Sequence, residues 1–447
     1  MIFAEIKKVL FRAAKAAGLT DYDVYFRMAS DAGAEALNRE LSSCSFGTKG
    51  GVSFRCAVNG RIGSASTQLL EEAELEALVS RAIANADVID ADEDPIFFEG
   101  SGEGAYRAVS CATPTLPDAT ALRHAVMDLQ EQLYGASELM TDGTASGAGA
   151  ATVEICLANS KGLDLSHKAG MCYTTAEAII HDGKEPSFGY SFAATLDTDA
   201  SGIAQKATEE AVARLGAVGV KTGNYDVIFS AKQVRSLLGA FAGIFSGKNA
   251  LLGLSLLAGK EGQSVASPLL TLVDDPFYTE NTMQMPFDAE GVATKEKKLI
   301  ENGVLQTLLY DLTYAKKAGK TPTGNAARGA IADPVSISPC CLRIAAGEDT
   351  PESLREKLGN GLYITDLKGL HAGTDAVTGD FSIESAGFLV ENGKLTVPVH
   401  SFTVAGNFFD LLKSIAGVAN NVEMGIPAVS CKASPDLLVK GLSVAGE

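Results

Sequence analysis

Two segments of this chain place an Asn-Gly pair between apolar runs, and this pattern constrains the fold more than any other feature. The segments are LIENGVLQTLLYD (residues 299–311) and FLVENGKLTVPV (residues 388–399). Asn-Gly is the dipeptide that best tolerates the positive φ angles of a two-residue hairpin turn. Each segment is therefore predicted to form a β-hairpin, which makes the C-terminal half rich in antiparallel strands.

Length and composition predict a globular protein of two or three domains. A chain of 447 residues exceeds what one hydrophobic core normally supports. Its 46% hydrophobic and 21% charged residues are ordinary for a soluble protein. The formal net charge of −18, without a visible cluster of Lys and Arg, argues against a nucleic-acid partner and against an anionic membrane surface.

The first half of the chain repeats one order of elements. Helix, strands and helix are predicted in this order at residues 2–86 and again at 119–215. The repeat indicates an α+β fold, with a duplicated helix and antiparallel-sheet N-terminal half followed by a β-rich C-terminal domain. We expect units at residues 1–100, 101–220 and 221–447, the second being a structural repeat of the first.

One stretch, SLLGAFAGIFSGKNALLGLSLLAG (residues 236–259), is long enough on paper to span a bilayer. Lys248 and Asn249 fall at its centre, where they are costly in a membrane, and no aromatic belt flanks it. We predict two buried segments joined by a Ser-Gly-Lys-Asn turn instead. A helical pattern is also predicted over residues 408–421. The N-terminal residues 1–18 predict an amphipathic helix rather than a signal peptide.

The eight cysteines show neither a C-x-x-C pair nor the dense framework of a secreted fold. They are therefore predicted to be reduced, mostly buried thiols in a cytoplasmic protein. Cys340 and Cys341 could form a strained vicinal disulfide, but two ordinary thiols are expected because disulfides seldom persist in the cytosol.

No spacing in the sequence predicts a metal site or a nucleophile. Metal-binding His pairs typically stand one helical turn apart, and none of the five histidines does so: they lie at 124, 167, 181, 371 and 400. We interpret four of them as solvated or core side chains. His371 is kept as a candidate because it opens a Gly-rich segment. A G-x-S-x-G nucleophile elbow is also absent from the sequence.

Two polar segments beside the hairpins are typical of shaped loops. TPTGNAARG (residues 321–329) and GTDAVTGDFSIESAGF (residues 373–388) are dense in Gly, Thr, Asn and Asp. Asp274, Asp275 and Asp380 stand close to Pro or Gly, where an Asp usually caps nearby amides. We interpret these three as turn formers, with catalytic carboxylates as the alternative.

The hairpins and loops together resemble the C-terminal domain of the TldD/PmbA family. GGVSFRCAVNGRIGSAST (residues 50–67) resembles the family's N-terminal hairpin, and residues 263–277 and 287–305 resemble its central strands. The resemblance extends over nearly the whole chain. The TldD branch carries a His-Glu-x-x-x-His motif on the first helix of its last domain, whereas residues 233–252 of this chain contain neither His nor Glu. The resemblance is therefore to the PmbA (TldE) branch.

The resemblance implies a subunit of a TldD/TldE-type metallopeptidase complex that acts on unfolded or leader peptides in peptide maturation. It implies no catalytic residue and no metal ligand in this chain, and zinc only in a TldD-type partner. The family's older description as a modulator of DNA gyrase would be an indirect effect for so acidic a chain. One alternative is a free-standing peptide-binding homodimer. Another is a metallopeptidase with scattered ligands, drawn from His371, Asp380 and Cys431.

A subunit without a metal can still bind peptide, because strand edges and Gly-rich loops add extended peptides through main-chain hydrogen bonds. Five residues in or beside the two polar segments are expected to face the peptide or a partner subunit: Asn325, Arg328, His371, Asp380 and Phe381. Roles within turns would explain the same residue types.

Overall fold

A computed structural model describes residues 1–88, 96–109, 111, 113–183 and 185–447. The helices are α1 (Phe3–Ala16), α2 (Glu72–Asp87), α3 (Ala119–Ala136), α4 (Thr198–Ser201), α5 (Ile203–Ala213), α6 (Ala231–Phe241), α7 (Gly247–Leu251), α8 (Leu312–Ala318), α9 (Pro351–Leu358), α10 (Leu370–Gly373) and α11 (Phe408–Lys413). A 3-10 turn at Ala242–Phe245 follows α6. Among the described residues, no helix is both long enough and apolar enough to cross a membrane.

The strands are β1 (Tyr22–Leu37), β2 (Glu40–Val58), β3 (Arg61–Thr67), β4 (Ala145–Asn159), β5 (Asp164–His181), β6 (Pro186–Ala193), β7 (Gly223–Phe229), β8 (Leu272–Asp274), β9 (Lys297–Glu301), β10 (Val304–Leu305), β11 (Ala326–Ala327), β12 (Ser336–Ile337), β13 (Cys341–Ile344), β14 (Gly361–Lys368), β15 (Asp380–Glu391), β16 (Lys394–Asn407), β17 (Ile415–Val418), β18 (Glu423–Met424), β19 (Cys431–Ser434) and β20 (Leu437–Ala445). The expected α+β class is confirmed.

The duplicated order of elements builds one continuous sheet. Its strand order is β3-β2-β1-β4-β5-β6, and every neighbouring pair is antiparallel. Each unit contributes three consecutive strands, and the units join where β1 pairs with β4 along the full length of β4, from Asp23↔Asn159 to Leu37↔Ala145. Because side chains alternate between the faces of a strand, one face of β1 packs on helices and the other faces the C-terminal domain.

Helices close both edges of this sheet. At the β6 edge, the Tyr190 N–H donates to Glu210 of α5 at 2.9 Å, and Arg214 donates to the Phe188 carbonyl oxygen at 3.0 Å. At the β3 edge, Asn85 of α2 donates to the Ser64 carbonyl oxygen at 2.8 Å. Side chains thus occupy edge groups that would otherwise be open to another strand.

The C-terminal domain contains a closed barrel and a second sheet. In the barrel, β16, β15, β14, β7 and β20 pair in turn, and β16 pairs back with β20. The second sheet has the order β10-β9-β8-β13-β19-β18. Helix α6 packs against β19 of this sheet and against β7 and β14 of the barrel. It therefore lies between the two structures.

Both Asn-Gly hairpins are confirmed. Asn302 and Gly303 join β9 to β10 with φ of 47° and 81°, and Asn392 and Gly393 join β15 to β16 with φ of 52° and 77°. Positive φ at both central positions is the geometry of the two-residue turn that fits the twist of a hairpin.

Two local expectations were wrong. Residues 251–256 were expected to be buried, but Leu251, Leu252, Leu254 and Leu256 are exposed, because α7 ends at Leu251 and the chain then turns along the surface. The helical pattern at 408–421 forms only α11, and residues 415–418 pair with β20 as β17. The spacing of the apolar residues there is compatible with a barrel strand as well as with a helix.

Candidate functional site

A cavity of about 70 Å³ lies where the first sheet meets the C-terminal domain, and we call it the junction cavity. Tyr25 of β1 and Ile155 of β4 form its wall on the sheet side. Its wall on the other side includes Phe287 and the segment that carries Asn325 and Arg328. Two of the five residues expected to face a peptide are therefore brought together here.

The apolar walls follow from the alternation of side chains along the central strands. Tyr25, Ile155 and their neighbours on the same face bury against Met285 and Phe287 of the C-terminal domain in one hydrophobic cluster. This burial fixes the position of the sheet on the domain and keeps most of the cavity lining apolar.

Asn325 is held in place by hydrogen bonds to the buried carboxylate of Asp274 and to a main-chain carbonyl group. Its Nδ2 donates to Asp274 Oδ2 at 2.7 Å and to the Ser338 carbonyl oxygen at 3.0 Å. Asp274 is fully buried and also accepts from Lys297 Nζ at 2.9 Å. The Asn325 Oδ1 atom is buried without a protein partner. Asp274 is thus a buried ion-pair residue, so its interpretation as a turn former was wrong.

Asp275 behaves as expected, because its Oδ1 accepts from the Phe277 N–H at 3.0 Å in a turn. Asp380 accepts from Asn407 Nδ2 at 2.9 Å at the start of β15. The turn amides of that loop are instead capped by Asp375, which accepts from the Val377 and Thr378 N–H groups at 2.8 and 3.2 Å.

The guanidinium of Arg328 stacks on the ring of Tyr25, with Cζ 4.8 Å from the ring centroid. Its Nε atom is buried without a protein partner. Burial lowers the pKa of Arg328, and the neighbouring Arg55 lowers it further. Arg55 in turn pairs with Asp23 at 2.5 Å, with both side chains largely buried. Arg328 thus provides a donor and a positive charge beside the cavity.

Asp288 places a carboxyl group in the cavity lining. It accepts hydrogen bonds from the N–H groups of Glu290, Val292 and Ala326 at 2.9 to 3.0 Å. Burial raises the pKa of Asp288 to about 7, and the nearby Glu290 carboxylate acts in the same direction. Burial also raises the pKa of Glu290, against the effect of Arg55. The charge of the cavity lining therefore changes near neutral pH.

Sequence reasoning missed Asp288 and Tyr25 as site residues. Asp288 stands in the apolar run MPFDAEGVA, and an acidic pair inside such a run was the available signal. Tyr25 gave none, because an aromatic residue on a buried strand is ordinary core composition.

The other three candidates lie elsewhere, at one end of the barrel. His371 is exposed in α10, and α10 packs on α6. Asp380 is also exposed. Phe381 is buried in the main core, with its ring in an edge-to-face contact with Phe241, the last residue of α6, at 6.5 Å. The polar segment 373–388 is a loop only as far as Asp380, because β15 begins there.

The cysteines near the cavity are free thiols. Cys340 lines the cavity, and burial and the Asp274 carboxylate raise its pKa. Cys341 faces Cys431 across the parallel pair β13–β19, and its contact with that thiol together with burial raises its pKa. A raised pKa keeps a thiol protonated and so disfavours it as a nucleophile or metal ligand. Within the described ranges, no group of three or more His, Cys, Asp and Glu side chains could hold a metal.

A second depression lies between the end of β6 and the edge strand β18. Its volume is about 280 Å³, and its lining includes Phe192, Tyr278 and Met424. Next to it, Arg235 of α6 pairs with Glu423 of β18 at 3.4 Å. The segment from 422 to 430 runs from this depression to the cavity. Val429 and Ser430 line the cavity, and four residues of the segment line the depression: Val422, Met424, Gly425 and Pro427.

Comparison with known proteins supports one family. The profile of the PmbA/TldA metallopeptidase C-terminal domain matches residues 222–446, that of domain 1 matches 22–86, and that of the central domain matches 113–215. A metalloprotease PmbA homologue from Haemophilus influenzae is 27% identical over 396 residues, which are 86% of this chain and 84% of the relative. The metalloprotease PmbA of Escherichia coli O157:H7 is 32% identical over 212 residues, 47% of this chain and 44% of that protein.

Solved structures agree with these matches. A Thermotoga maritima protein, described as a candidate modulator of a DNA gyrase, superposes with a TM-score of 0.90 at 30% identity and covers 99% of this chain and 100% of its own. TldE from Thermococcus kodakarensis gives a TM-score of 0.86 at 22% identity, with 99% and 100% covered, which shows the shared fold. The chain therefore belongs to the PmbA/TldA metallopeptidase family, in its PmbA (TldE) branch.

Proposed function

We propose that this chain is the subunit without a metal site in a cytoplasmic metallopeptidase complex that cuts unfolded or leader peptides. A TldD-type subunit would hold the zinc and activate its water. Peptide cleavage would then require both chains, and this chain would supply part of the peptide-binding surface.

One observation carries the proposal. Helix α6 is the first helix after strand β7, the position at which the catalytic branch carries its His-Glu-x-x-x-His motif, and α6 contains neither His nor Glu. Its polar side chains have structural partners instead. Gln233 donates to the Thr365 carbonyl oxygen at 2.7 Å, and Arg235 pairs with Glu423. A helix built in this way supports packing rather than zinc chemistry.

The peptide would lie along the segment from 422 to 430. Strand β18 is the last strand of its sheet, so an extended peptide could pair with its outer edge. Main-chain hydrogen bonds of this kind give affinity that does not depend on the peptide sequence, as a peptidase for unfolded segments needs.

The test combines this chain with a TldD-type chain from the same organism. An unstructured peptide of about twenty residues is incubated with each chain alone and with the mixture, and the products are identified by mass spectrometry. We expect cleavage by the mixture, loss of cleavage after chelation, and an intact peptide with this chain alone. Chelator-sensitive cleavage by this chain alone, after removal of contaminating peptidases, would overturn the proposal. An inactive mixture in which this chain still binds the peptide would favour the peptide-binding homodimer.

A further inference from the structure

The junction cavity has a fixed hydrogen-bond polarity. If the Asn325 amide were rotated by 180°, its Oδ1 would face Asp274 Oδ2 and the Ser338 carbonyl oxygen, which are both acceptors. The amide therefore keeps Nδ2 toward these two groups. Its Oδ1 remains buried and unpartnered in a residue that is 1% exposed and lines the cavity.

Arg328 adds the opposite polarity. Its side chain lines the same cavity, and its buried Nε–H group has no acceptor in the protein. A buried polar group without a partner is unfavourable, so a ligand that pairs with both groups would gain affinity. The cavity thus offers one acceptor and one donor within apolar walls.

The charged groups around the cavity favour a ligand group that carries no net charge. A carboxylate could pair with Arg328, but it would also lie against the Asn325 oxygen and the carboxyl group of Asp288, which line the same cavity. An ammonium group would meet the guanidinium of Arg328, with Arg55 behind it. A primary carboxamide carries a donor and an acceptor and no charge, so it fits this environment.

Size and access also favour an amide side chain. The volume of about 70 Å³ suits a group of a few heavy atoms. Val429 at the rim is 38% exposed, so the cavity lies close to the surface. Because the segment from 422 to 430 also lines the depression beside β18, a strand bound there could place one side chain past Val429.

We propose that this cavity binds the carboxamide side chain of an Asn or Gln residue in an extended peptide substrate. This inference rests on the proposed function and deepens it, because it assigns a side-chain preference to a surface that otherwise binds main chain. Asn325 accepts from the ligand amide, and Arg328 donates to the ligand oxygen.

The experiment measures binding of three peptides, Ala-Ala-Xaa-Ala-Ala with Xaa as Asn, Asp or Leu, to the full chain by fluorescence anisotropy. Each peptide carries an N-terminal fluorophore and a C-terminal methyl ester, so that the Asn side chain is the only primary carboxamide. The three side chains have nearly the same shape, so they differ mainly in polarity and charge. We expect the Asn peptide to bind at least about tenfold more tightly than either of the others. In Arg328→Met the preference over Leu should fall to within about twofold, because the apolar stem is kept and the donor is lost.

Arg123→Met is the matched control, because Arg123 is exposed on α3, and it should keep the full preference. Equal binding of the three peptides, binding of none, or an unchanged preference in a folded Arg328→Met would overturn the inference. If that variant does not fold, the ratios of the three peptide affinities for the unmodified chain decide whether the inference stands. Cleavage of the Leu peptide by the mixture with a TldD-type chain is scored separately, so the carboxamide site can fail while the proposed function stands.

Discussion

Asn325 and Asp274 are joined by a 2.7 Å hydrogen bond that links the junction cavity to the interior of the second sheet. Asp274 receives three further hydrogen bonds, from Lys297 Nζ at 2.9 Å and from the N–H groups of Cys340 and Cys341 at 2.8 and 3.0 Å. Four donors thus converge on one buried carboxylate, which fixes β8 to β9 and β13 and sets the orientation of the Asn325 amide.

The first prediction concerns this centre. Asp274→Asn should destabilise the chain by about 3–5 kcal/mol, because Lys297 is left as a buried charge without a counterion and the new amide N–H₂ faces donors. Urea unfolding followed by circular dichroism measures the change. Asp142→Asn, at an exposed site before β4, is the control and should change stability by no more than roughly 0.5 kcal/mol. Equal urea midpoints for the two variants would contradict the assignment of Asp274 as a buried ion-pair residue.

The second prediction concerns pH. Burial raises the pKa of Asp288 to about 7 from an ordinary 3.8, so between these values the folded chain holds a proton that the unfolded chain has released. Stability contributed by Asp288 is therefore full below pH 4 and is lost as the pH rises toward 7. Asp288→Asn should remove up to about 1.4 kcal/mol per pH unit from the slope of stability against pH in this window.

Urea unfolding of both proteins at about four pH values between roughly 4.5 and 7.5 supplies the comparison. Glu290 also has a raised pKa and faces Asp288, so part of the slope will remain in the variant. Parallel curves for the two proteins would show that Asp288 is ionised in the folded chain throughout this range.

The third prediction is that the purified chain binds no stoichiometric zinc, because α6 lacks the imidazoles and glutamate of the catalytic branch. Elemental analysis of protein prepared without chelators is the measurement. About one tightly held zinc per chain would restore the alternative in which His371, Asp380 or Cys431 contribute scattered ligands.

The fourth prediction is that the chain dimerises through its C-terminal domain, with itself or with a TldD-type chain. Within residues 251–269 of this domain, five leucines are exposed: Leu251, Leu252, Leu254, Leu256 and Leu269. Exposed apolar side chains that are grouped together mark protein interfaces, so this segment is the expected contact. Leu252→Asp should weaken the dimer at micromolar concentration in sedimentation velocity, whereas Leu69→Asp, at an equally exposed site before α2, should not. A chain that stays monomeric both alone and when mixed with a TldD-type chain would contradict the prediction.

The fifth prediction concerns the complete enzyme. Arg328→Ala should reduce cleavage of an Asn-containing peptide by the mixture about tenfold by removing a donor from the cavity. Asp380→Ala should reduce it less, because Asp380 acts through Asn407 and a loop whose helix α10 packs on α6. His124→Ala, exposed on α3, should change the rate by less than about twofold. Thermal melting of each variant separates lost activity from lost stability.

The sequence alone determined the features that depend on neighbouring residues. Asn302-Gly303 and Asn392-Gly393 form the expected hairpin turns, because positive φ at two successive positions is a local preference of this dipeptide. The repeated order of helices and strands in the first half was likewise readable from periodicity. The family followed from several such segments in the same order.

Only the tertiary structure decided which polar residues meet. Asp274 and Asp275 are adjacent in sequence and both are buried ion-pair residues, with Lys297 and Arg343 respectively. Only Asp274 also binds Asn325, whereas Asp275 caps a turn, because β8 ends at Asp274. Phe381 was expected to face a peptide or a partner but lies in the core, whereas Leu252 was expected to be buried but lies on the surface. The cavity is lined by β1, by β4 and by the segment of Asn325, which lie far apart in the sequence. Contacts between such distant segments depend on tertiary packing, which no local sequence pattern encodes.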